Sequence, residues 1–346
     1  MVQSKKDKSE MTLPRVQKSG ELAILSTIRA RAAGIPHRGV RLGIGDDCAL
    51  LRLKADEELA VTTDLSIEGR HFRLNWHPPE SVGHRTLARG LSDLAAMGAS
   101  PVAAFLSLGL PRHLTQPGKA SGATSASWVD RFLDGLLNLA VEYDVPLAGG
   151  DLAESPIAIA DIVLTGSVPK KQALLRGGTK AGDCVFVTGS LGGAAAELAA
   201  LAKSPRKFAR KTIANQNSPH LYPQPRVAQG LWLRKRGLAS AAMDVSDGLS
   251  TDLAHLCEES NCAAEIDAEA LPLGAGATLE LALHGGEDYE LLFTAPKSAR
   301  LPRSIAGVPI TQIGRMVPVR TNRARVTLIT GKSSQPLEPH GWEHFS

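Results

Sequence analysis

The sequence has few cysteines, few aromatic residues and no long apolar run. The cysteines Cys48, Cys184, Cys257 and Cys262 form no CxxC pair and no zinc-like spacing, which predicts free thiols in a reducing cytosol. No apolar run approaches the roughly 20 residues that a membrane span requires. The first residues contain no apolar segment of the kind found in secretory signals. We therefore expect a cytoplasmic protein that does not bind membranes.

Familiar nucleotide-binding motifs are also missing. The sequence GKSS at 331–334 resembles the end of a P-loop, but that motif needs a glycine where the chain has Val326. The sequence GIGDDC lacks the third glycine of a dinucleotide fingerprint, and no HRD, DFG or GxSxG occurs. Any ATP site must therefore be built from acids and bound metal, with glycine-rich backbone near the phosphates.

The overall charge is only weakly informative. The formal net charge is +4 at pH 7, and much of the excess lies in residues 1–20 and in the segment KSPRKFARK at 203–211. Such runs are typical of a disordered tail and a solvated face. Their alternative reading is a nucleic-acid-binding protein, but an aromatic content of 4% and the lack of a stacking motif count against it. We expect no nucleic-acid partner.

The length of 346 residues predicts two domains. We place a basic tail at 1–20, an N-terminal domain at 21–168 and a C-terminal domain at 169–346. Strand-like and helix-like segments mix in both halves without strict βαβ alternation. That pattern favours an α/β chain of the α+β, mixed-sheet type over a doubly wound parallel sheet.

Several elements are predicted by composition and period. Residues 21–33 and 128–143 are typical of helices, and apolar positions from Ser81 to Met97 recur at the helical period. The run VAAFLSLGL predicts a buried strand. The small, polar residues at 113–127 indicate a loop insertion.

A set of acids lies at the ends of apolar runs or directly after glycines. Functional side chains concentrate at such positions, and the set comprises Asp46, Asp47, Asp64, Asp93, Asp151, Asp244, Asp247, Glu287 and Asp288. If these acids converge, their repulsion must be compensated by cations. Mg²⁺ suits carboxylates that share it with substrate phosphates. The pattern therefore predicts a Mg²⁺-nucleotide site.

Each acid also has a structural explanation. Asp93 follows Arg89 by four residues, the spacing of an ordinary helix surface pair. Ser246 or Asp247 could cap the helix that begins near 248, while Asp151 and Glu287 could be turn residues after paired glycines. These alternatives stay open for each acid taken alone, whereas their recurrence in several glycine-flanked motifs favours the metal site.

The motifs GIGDDCALL, TTD with GRHF, LSDLAAMGA, AGGD, MDVSDGLSTDL, GGEDYEL and a terminal GWEHF follow one another in the chain. In this order they resemble the thiamine-monophosphate kinase family. These bacterial enzymes make thiamine diphosphate from thiamine monophosphate and ATP, and belong to the aminoimidazole ribonucleotide synthetase superfamily. The resemblance covers roughly residues 20–346. It implies a homodimer of two-domain chains, in which the N-terminal domains form a shared sheet or barrel, and a cleft in which several Mg²⁺ ions bridge ATP and its acceptor.

The resemblance also implies roles for individual positions. The implied metal ligands are Asp47, Thr62, Thr63, Asp64, Asp93, Asp151, Asp244 and Asp247. The implied ATP contacts are Gly150, Asp151, Arg176 and Ser246, and the implied thiamine monophosphate contacts are His71, Glu287 and Trp342. Of the neighbouring acids at 46 and 47, the match falls on the second, so Asp46 is expected only to shape the turn or to add charge next to the metal ligands. The implied cofactor is Mg²⁺, as several ions, with K⁺ as a further candidate.

The chain departs from the family pattern in its basic tail, in the 113–127 insertion and in the basic segment at 203–219. That segment leads into HLYPQPR, where the family reads closer to RHLRPxPR. The chemistry is consistent with the remaining motifs. A phosphate monoester has a second pKa of about 6, so the acceptor is largely a dianion at neutral pH and needs no general base for in-line transfer. Another ATP-dependent synthetase of the same superfamily is the alternative enzyme.

Overall fold

The computed structural model describes residues 21–35, 39–45, 47–117, 126–208, 218–319 and 324–342. The predictions for the tail 1–20, for Asp46, for most of the 113–127 loop and for 209–217 lie outside these ranges. The end of the GWEHF motif, from position 343, lies outside them as well.

Helices and strands alternate irregularly along the chain. The helices are α1 (Glu21–Ala32), α2 (Pro79–Ala96), α3 (Trp128–Glu142), α4 (Gly193–Lys203), α5 (Pro205–Phe208), α6 (Val227–Arg236), α7 (Leu249–Glu259) and α8 (Leu279–His284). The strands are β1 (Val40–Leu42), β2 (Leu50–Leu51), β3 (Glu57–Ile67), β4 (Ser100–Leu110), β5 (Leu147–Glu154), β6 (Ile159–Pro169), β7 (Cys184–Thr188), β8 (Ala241–Val245), β9 (Ala263–Asp267), β10 (Glu290–Ala295), β11 (Ser304–Ile305), β12 (Val308–Val317), β13 (Val326–Thr330) and β14 (Ser333–Pro336).

Two larger sheets organise the chain. The first has the order β3-β6-β4-β5, in which β4 and β5 are parallel and the other pairs are antiparallel. The second has the order β14-β13-β9-β12-β7-β10-β8, with β11 beside β12 and with β13 parallel to β9. Both sheets are mixed, which confirms the predicted fold class.

Helix α2 covers the first sheet because its apolar side chains repeat at the helical period. Leu87 and Leu91 are fully buried, as the pattern from 81 to 97 predicted. Glycines let α3 approach α2 closely, since a Cβ on Gly83 would meet the Phe132 carbonyl oxygen at 1.9 Å. Helix α3 begins at 128 because Ser127 forms a capping box with Asp130.

The two sheets are joined by packing of α6 against α2. A Cβ on Gly230 would meet the Ala95 carbonyl oxygen at 1.9 Å, so only glycine permits this approach. Arg234 Nε donates to the Gly98 carbonyl at 2.6 Å. This contact places β8 of the second sheet beside α2. No helix in the described ranges is both long and apolar enough to cross a membrane.

Candidate active site

Three of the predicted acids meet where β3, α2 and β8 come together. The Asp93 carboxylate accepts a short hydrogen bond from Thr62 Oγ1. Asp244, at the end of β8, accepts a hydrogen bond of 2.6 Å from Ser92 Oγ on α2. Asp64 pairs with Arg89 of α2 at 3.1 Å. Contact between the halves of the chain therefore brings together carboxylates that are far apart in sequence.

The electrostatics of this acidic cluster, Asp64, Asp93 and Asp244, favour a cation. Burial raises the pKa of Asp244 to about 7, and repulsion from Asp93 and Asp64 adds to the effect. Burial also raises the pKa of Asp64 to about 6, although Arg89 opposes the shift. The pKa of Asp93 is raised by burial too. Buried carboxylates that repel one another gain most from a hard divalent ion with oxygen ligands.

Arg89 does not form the surface pair with Asp93 that its spacing allows. Its NH2 group lies against Asp64, and its NH1 group donates to the Leu65 carbonyl and to Ser66 Oγ. It is partly buried between the acidic cluster and Glu287, whose charge it also feels. The surface-pair interpretation of Asp93 is therefore wrong. Arg176 is exposed, but its charge acts on Asp93 and lowers that pKa.

The loop after β8 is held by an acid that was not predicted to matter. Asp252 Oδ2 accepts from the backbone N–H groups of Ser246, Asp247 and Gly248, each at 3.1 Å. The N-cap of α7 is Gly248, with no side-chain cap bond. Capping of α7 by Ser246 or Asp247 is therefore wrong. Burial, with repulsion from Asp244 and Asp247, raises the pKa of Asp252 to about 8.

The end of the described chain lies on this same loop. The backbone N–H of Trp342 donates to the Asp247 carbonyl at 3.0 Å, and that of Gly341 donates to Thr251 Oγ1 at 3.0 Å. A Cβ on Gly341 would meet the Asp247 carbonyl oxygen at 2.1 Å, so glycine is required here. Trp342 as a whole is 54% exposed, and its backbone is held at Asp247.

Glu287 also contacts this loop. Its backbone N–H donates to the Ser246 carbonyl at 2.7 Å, and its φ of 68° lies in the left-handed region, which fits the predicted turn. Buried Arg85 of α2 binds the Glu287 carboxylate and donates from NH1 to the His71 carbonyl at 3.1 Å. Arg85 thus joins two residues predicted to contact the same substrate.

The charge state of Glu287 follows from its partners. Burial alone would raise its pKa, but Arg85, a hydrogen bond from His220 and Arg89 outweigh burial and hold the pKa well below its usual range. The side chain of Glu287 remains 25% exposed. It therefore presents a negative charge at the surface of the cleft.

A second group of predicted residues lines a separate cavity. Asp47, Gly150 and Asp151 border a space of about 380 Å³ between α1, the β1–β2 connection, the middle of β4 and the first half of β5. The pairing Asp64–Ile162–Leu106–Gly150 runs across the sheet. Three strand spacings, about 14 Å, separate its ends. Within one chain, the predicted ligands therefore form two groups.

Two further results concern the metal prediction. Thr63 alternates with Thr62 and Asp64 along β3, so its exposed side chain lies on the opposite face of the sheet. In the described ranges, no three His, Cys, Asp or Glu side chains already form a group that could hold a metal. The acidic cluster instead combines carboxylates with the hydroxyls of Thr62 and Ser92.

Asp288 anchors the glycine-rich segment GSLGG. Its carboxylate accepts from the backbone N–H groups of Gly192, at 2.6 Å, and Ala194, at 3.2 Å, at the start of α4. Burial raises the pKa of Asp288 to about 7. The GGED motif signalled the importance of Asp288, but no local pattern pointed to Arg85, Ser92 or His220 as partners of predicted site residues.

Comparison with known proteins identifies both halves of the chain. Residues 45–168 match the family "AIR synthase related protein, N-terminal domain" and residues 180–327 match the corresponding C-terminal domain. The chain is 38% identical over 319 residues to thiamine-monophosphate kinase of Escherichia coli K12, covering 89% of this chain and 93% of that protein. It is 34% identical to the Bacillus subtilis enzyme of the same name, over 94% of this chain and 99% of that one.

Solved structures agree with the sequence relatives. Thiamine-monophosphate kinase from Stenotrophomonas maltophilia K279a has a TM-score of 0.73 at 37% identity, covering 88% of this chain and 94% of that chain. AaThiL complexed with AMPPCP and TMP has a TM-score of 0.69 at 30% identity, covering 96% and 99%. Hydrogenase maturation protein HypE in complex with ATP has a TM-score of 0.72 at 17% identity, which shows a shared fold alone.

Proposed function

Because the chain belongs to the thiamine-monophosphate kinase family, we propose that it transfers the γ-phosphoryl group of ATP to the phosphate of thiamine monophosphate. The products are thiamine diphosphate and ADP. The observation that carries this proposal is that the acidic cluster and Glu287 both lie at the loop at 246–248. One site therefore offers carboxylate oxygens that can bind metal and, at Glu287, a negative charge that can face the substrate. The relative solved with AMPPCP and TMP supports the same pair of ligands.

The acidic cluster fits Mg²⁺. Asp64, Asp93 and Asp244 supply hard oxygen donors whose mutual repulsion calls for a divalent ion. When bound there, Mg²⁺ would neutralise phosphate charge and hold ATP against its acceptor. We assign Asp247 and Thr62 to the same group by position. K⁺ remains a candidate monovalent cation.

The ATP contacts are assigned to both groups of predicted residues. Ser246, in the loop held by Asp252, and Arg176, whose charge reaches Asp93, lie on the side of the acidic cluster. Gly150 and Asp151 lie with Asp47 in the separate cavity and would act on metal or nucleotide from there. Of the predicted metal ligands, Thr63 has the weakest support, because its side chain lies on the face of β3 opposite to Thr62 and Asp64.

The acceptor side of the site comprises the residues predicted to contact thiamine monophosphate, which are His71, Glu287 and Trp342. It suits a substrate that carries a thiazolium cation. Ionised Glu287 and the exposed residue Trp342 are both tied to the loop at 246–248, through the Ser246 and Asp247 carbonyls. A carboxylate attracts the cation by charge, and an indole face adds about 0.5–2 kcal/mol. His71, tied to Glu287 through Arg85, completes this side.

In-line transfer requires no protein base. The acceptor phosphate has a second pKa of about 6, so it carries its own nucleophilic oxygen near neutral pH. The protein instead has to position two anions in line and exclude other acceptors. Arg89, partly buried between the acidic cluster and Glu287, supplies fixed positive charge within that site.

We also propose that the chain forms a homodimer through the outer face of β3. Leu59, Val61 and Leu65 are 47%, 57% and 45% exposed on that face, and β3 is an edge strand of its sheet. An exposed apolar strip on an unpaired edge favours association with another chain. We further propose domains at 21–168 and 169–346, and action in the cytoplasm.

The test is incubation of the purified protein with ATP, Mg²⁺ and thiamine monophosphate, followed by mass spectrometry. We expect equal amounts of thiamine diphosphate and ADP. Asp47→Asn and Asp151→Asn should each nearly abolish turnover while Asp144→Asn, at an exposed left-handed position that asparagine tolerates, should not. ATP consumption without thiamine diphosphate would favour another synthetase of the superfamily.

A further inference from the structure

Two buried histidines stand in line behind Glu287, outside the acidic cluster. His77 and His220 are 4% and 2% exposed, and their Nε2 atoms are 3.0 Å apart. The Nδ1 atom of His220 lies 3.0 Å from Glu287 Oε2. Nothing in the proposed transfer of phosphate uses these imidazoles, and burying two of them together is costly unless their hydrogen bonds are satisfied.

The direction of the hydrogen bonds follows from a fixed acceptor at one end. The ionised Glu287 carboxylate can only accept, so His220 Nδ1, 3.0 Å from Oε2, carries a proton. In a neutral imidazole the Nε2 atom of His220 then accepts, and His77 Nε2 is its donor. The Nδ1 atom of neutral His77 therefore accepts from the Arg73 backbone N–H at 3.1 Å, rather than donating to the Arg73 carbonyl oxygen at 3.2 Å.

The surroundings keep both rings neutral. Burial and the nearby Arg85 lower the pKa of His77 to about 3, with His220 contributing further. Burial and Arg85 also lower the pKa of His220. A second bond fixes the position of His220, because its backbone N–H donates to Glu197 Oε2 at 2.9 Å. Both tautomers are thus set by their partners.

The last link is a donor aimed at the substrate-facing carboxylate. His220 Nδ1 is buried and, among the described residues, has no partner at full hydrogen-bonding angles. Glu287 Oε2, at 3.0 Å, is within its reach, and a small rotation of the carboxylate aligns the bond. Arg85 holds the other oxygen, Oε1. The two donors together fix the plane of the Glu287 carboxylate.

We propose that His77 and His220 form a hydrogen-bond relay of fixed tautomers that positions the Glu287 carboxylate for thiamine monophosphate. The inference rests on the proposed function and deepens its acceptor side. The two histidines are positioning residues, because they act through Glu287. The relay keeps the carboxylate ionised and oriented without adding, beside Arg85 and Arg89, a further positive charge that would compete with the thiazolium for it.

Amide substitutions test the relay atom by atom. The amide nitrogen of asparagine takes the place of a histidine Nδ1, and that of glutamine takes the place of Nε2. We expect His220→Ala to raise KM for thiamine monophosphate about tenfold, the scale of one hydrogen bond to a charged group, with KM for ATP within twofold. His220→Asn should recover most of the loss and His220→Gln should not. The opposite order is expected at 77, where glutamine should recover activity and asparagine should not.

The matched control is His84→Ala. His84 is as buried as the relay residues and lies on α2, but its Nε2 bonds the Pro223 carbonyl and it does not contact Glu287. It should lower Tm while leaving both KM values within twofold. Equal rises in both KM values, or the same effect of asparagine and glutamine at each position, would overturn the relay while leaving the kinase intact. Failure of the wild-type protein to make thiamine diphosphate would overturn both proposals.

Discussion

Removing the guanidinium of Arg85 should lower the unfolding free energy, because Arg85 holds Glu287 and His71 in place. The change is Arg85→Met, which keeps an unbranched stem and removes the donors to Glu287 and to the His71 carbonyl. Arg85 is 4% exposed. Breaking a buried ion pair costs about 3–5 kcal/mol, because one charge is left without its partner. Since the Glu287 side chain is 25% exposed and water can reach it, we expect the lower end, about 3 kcal/mol.

The assay is urea unfolding in a double-mutant cycle with Glu287→Gln. Once the carboxylate is neutral, losing Arg85 no longer strands a charge, so the double variant should be more stable than the sum of the single losses predicts, by at least about 1.5 kcal/mol. Losses that add to within about 0.5 kcal/mol would refute a direct pair. That result would also remove the reason for an ionised Glu287 in the cleft.

The Arg85–Glu287 pair also predicts how the unfolding free energy depends on pH. The folded pKa of Glu287 is depressed, so its contribution to stability is fully present above the unfolded pKa of about 4.3. The contribution is lost as pH falls through the lower, folded pKa. The gap in unfolding free energy between wild type and Glu287→Gln should therefore be constant from pH 7 to 5 and close below about pH 4. A gap that widens with acid would contradict the assignment.

Three further substitutions test the loop at 246–248, the close approach of β5 to β4, and the proposed dimer. Asp252→Ala should cost about 3 kcal/mol of unfolding free energy, since three backbone donors lose their shared acceptor oxygen, and should lower kcat; Asp252→Asn should lower Tm less, because one side-chain oxygen remains to accept. Gly150→Ala should lower Tm by several degrees, because φ is 147° and its Cβ would meet a β4 carbonyl oxygen at 1.8 Å, whereas Gly34→Ala, with open space around it, should not. Val61→Lys should give monomers in sedimentation velocity, while Val141→Lys, at an exposed position of α3, should leave the dimer unchanged.

The elements that sequence reasoning predicted well are those whose signal is local. The helical period from 81 to 97 became α2, and the apolar run VAAFLSLGL became β4, because each pattern is repeated within one element. The acids at strand ends were predicted for a similar reason, since glycine turns and strand ends are visible in the chain. Asp244 and Glu287 do lie at such ends.

The pairing of these acids could not be predicted, because it depends on how distant elements pack. Asp244 meets Ser92 across 152 positions, and His77 meets His220 across 143. The i to i+4 spacing of Arg89 and Asp93 even favoured the wrong partner. Capping of α7 was mispredicted for a related reason, since Asp252 reaches back to the loop from within the helix and displaces the expected cap.

The split between the acidic cluster and the group around Asp151 also lies beyond local patterns. Both groups belong to the same set of acids at the ends of apolar runs or after glycines, but two strands of the sheet, β6 and β4, lie between them. The membership of the site therefore stays a prediction from the sequence, and how its predicted members divide into two groups follows only from the fold.

Direct transfer from ATP to thiamine monophosphate is tested by following the γ-phosphoryl group itself. Protein, Mg²⁺ and ATP labelled with ³²P at the γ position are mixed with thiamine monophosphate and quenched at intervals within one turnover. We predict that label passes from ATP to the terminal phosphate of thiamine diphosphate, with none on the protein and none in inorganic phosphate. Label that appears first on the protein, or that leaves ATP only as inorganic phosphate, would contradict direct transfer to the acceptor.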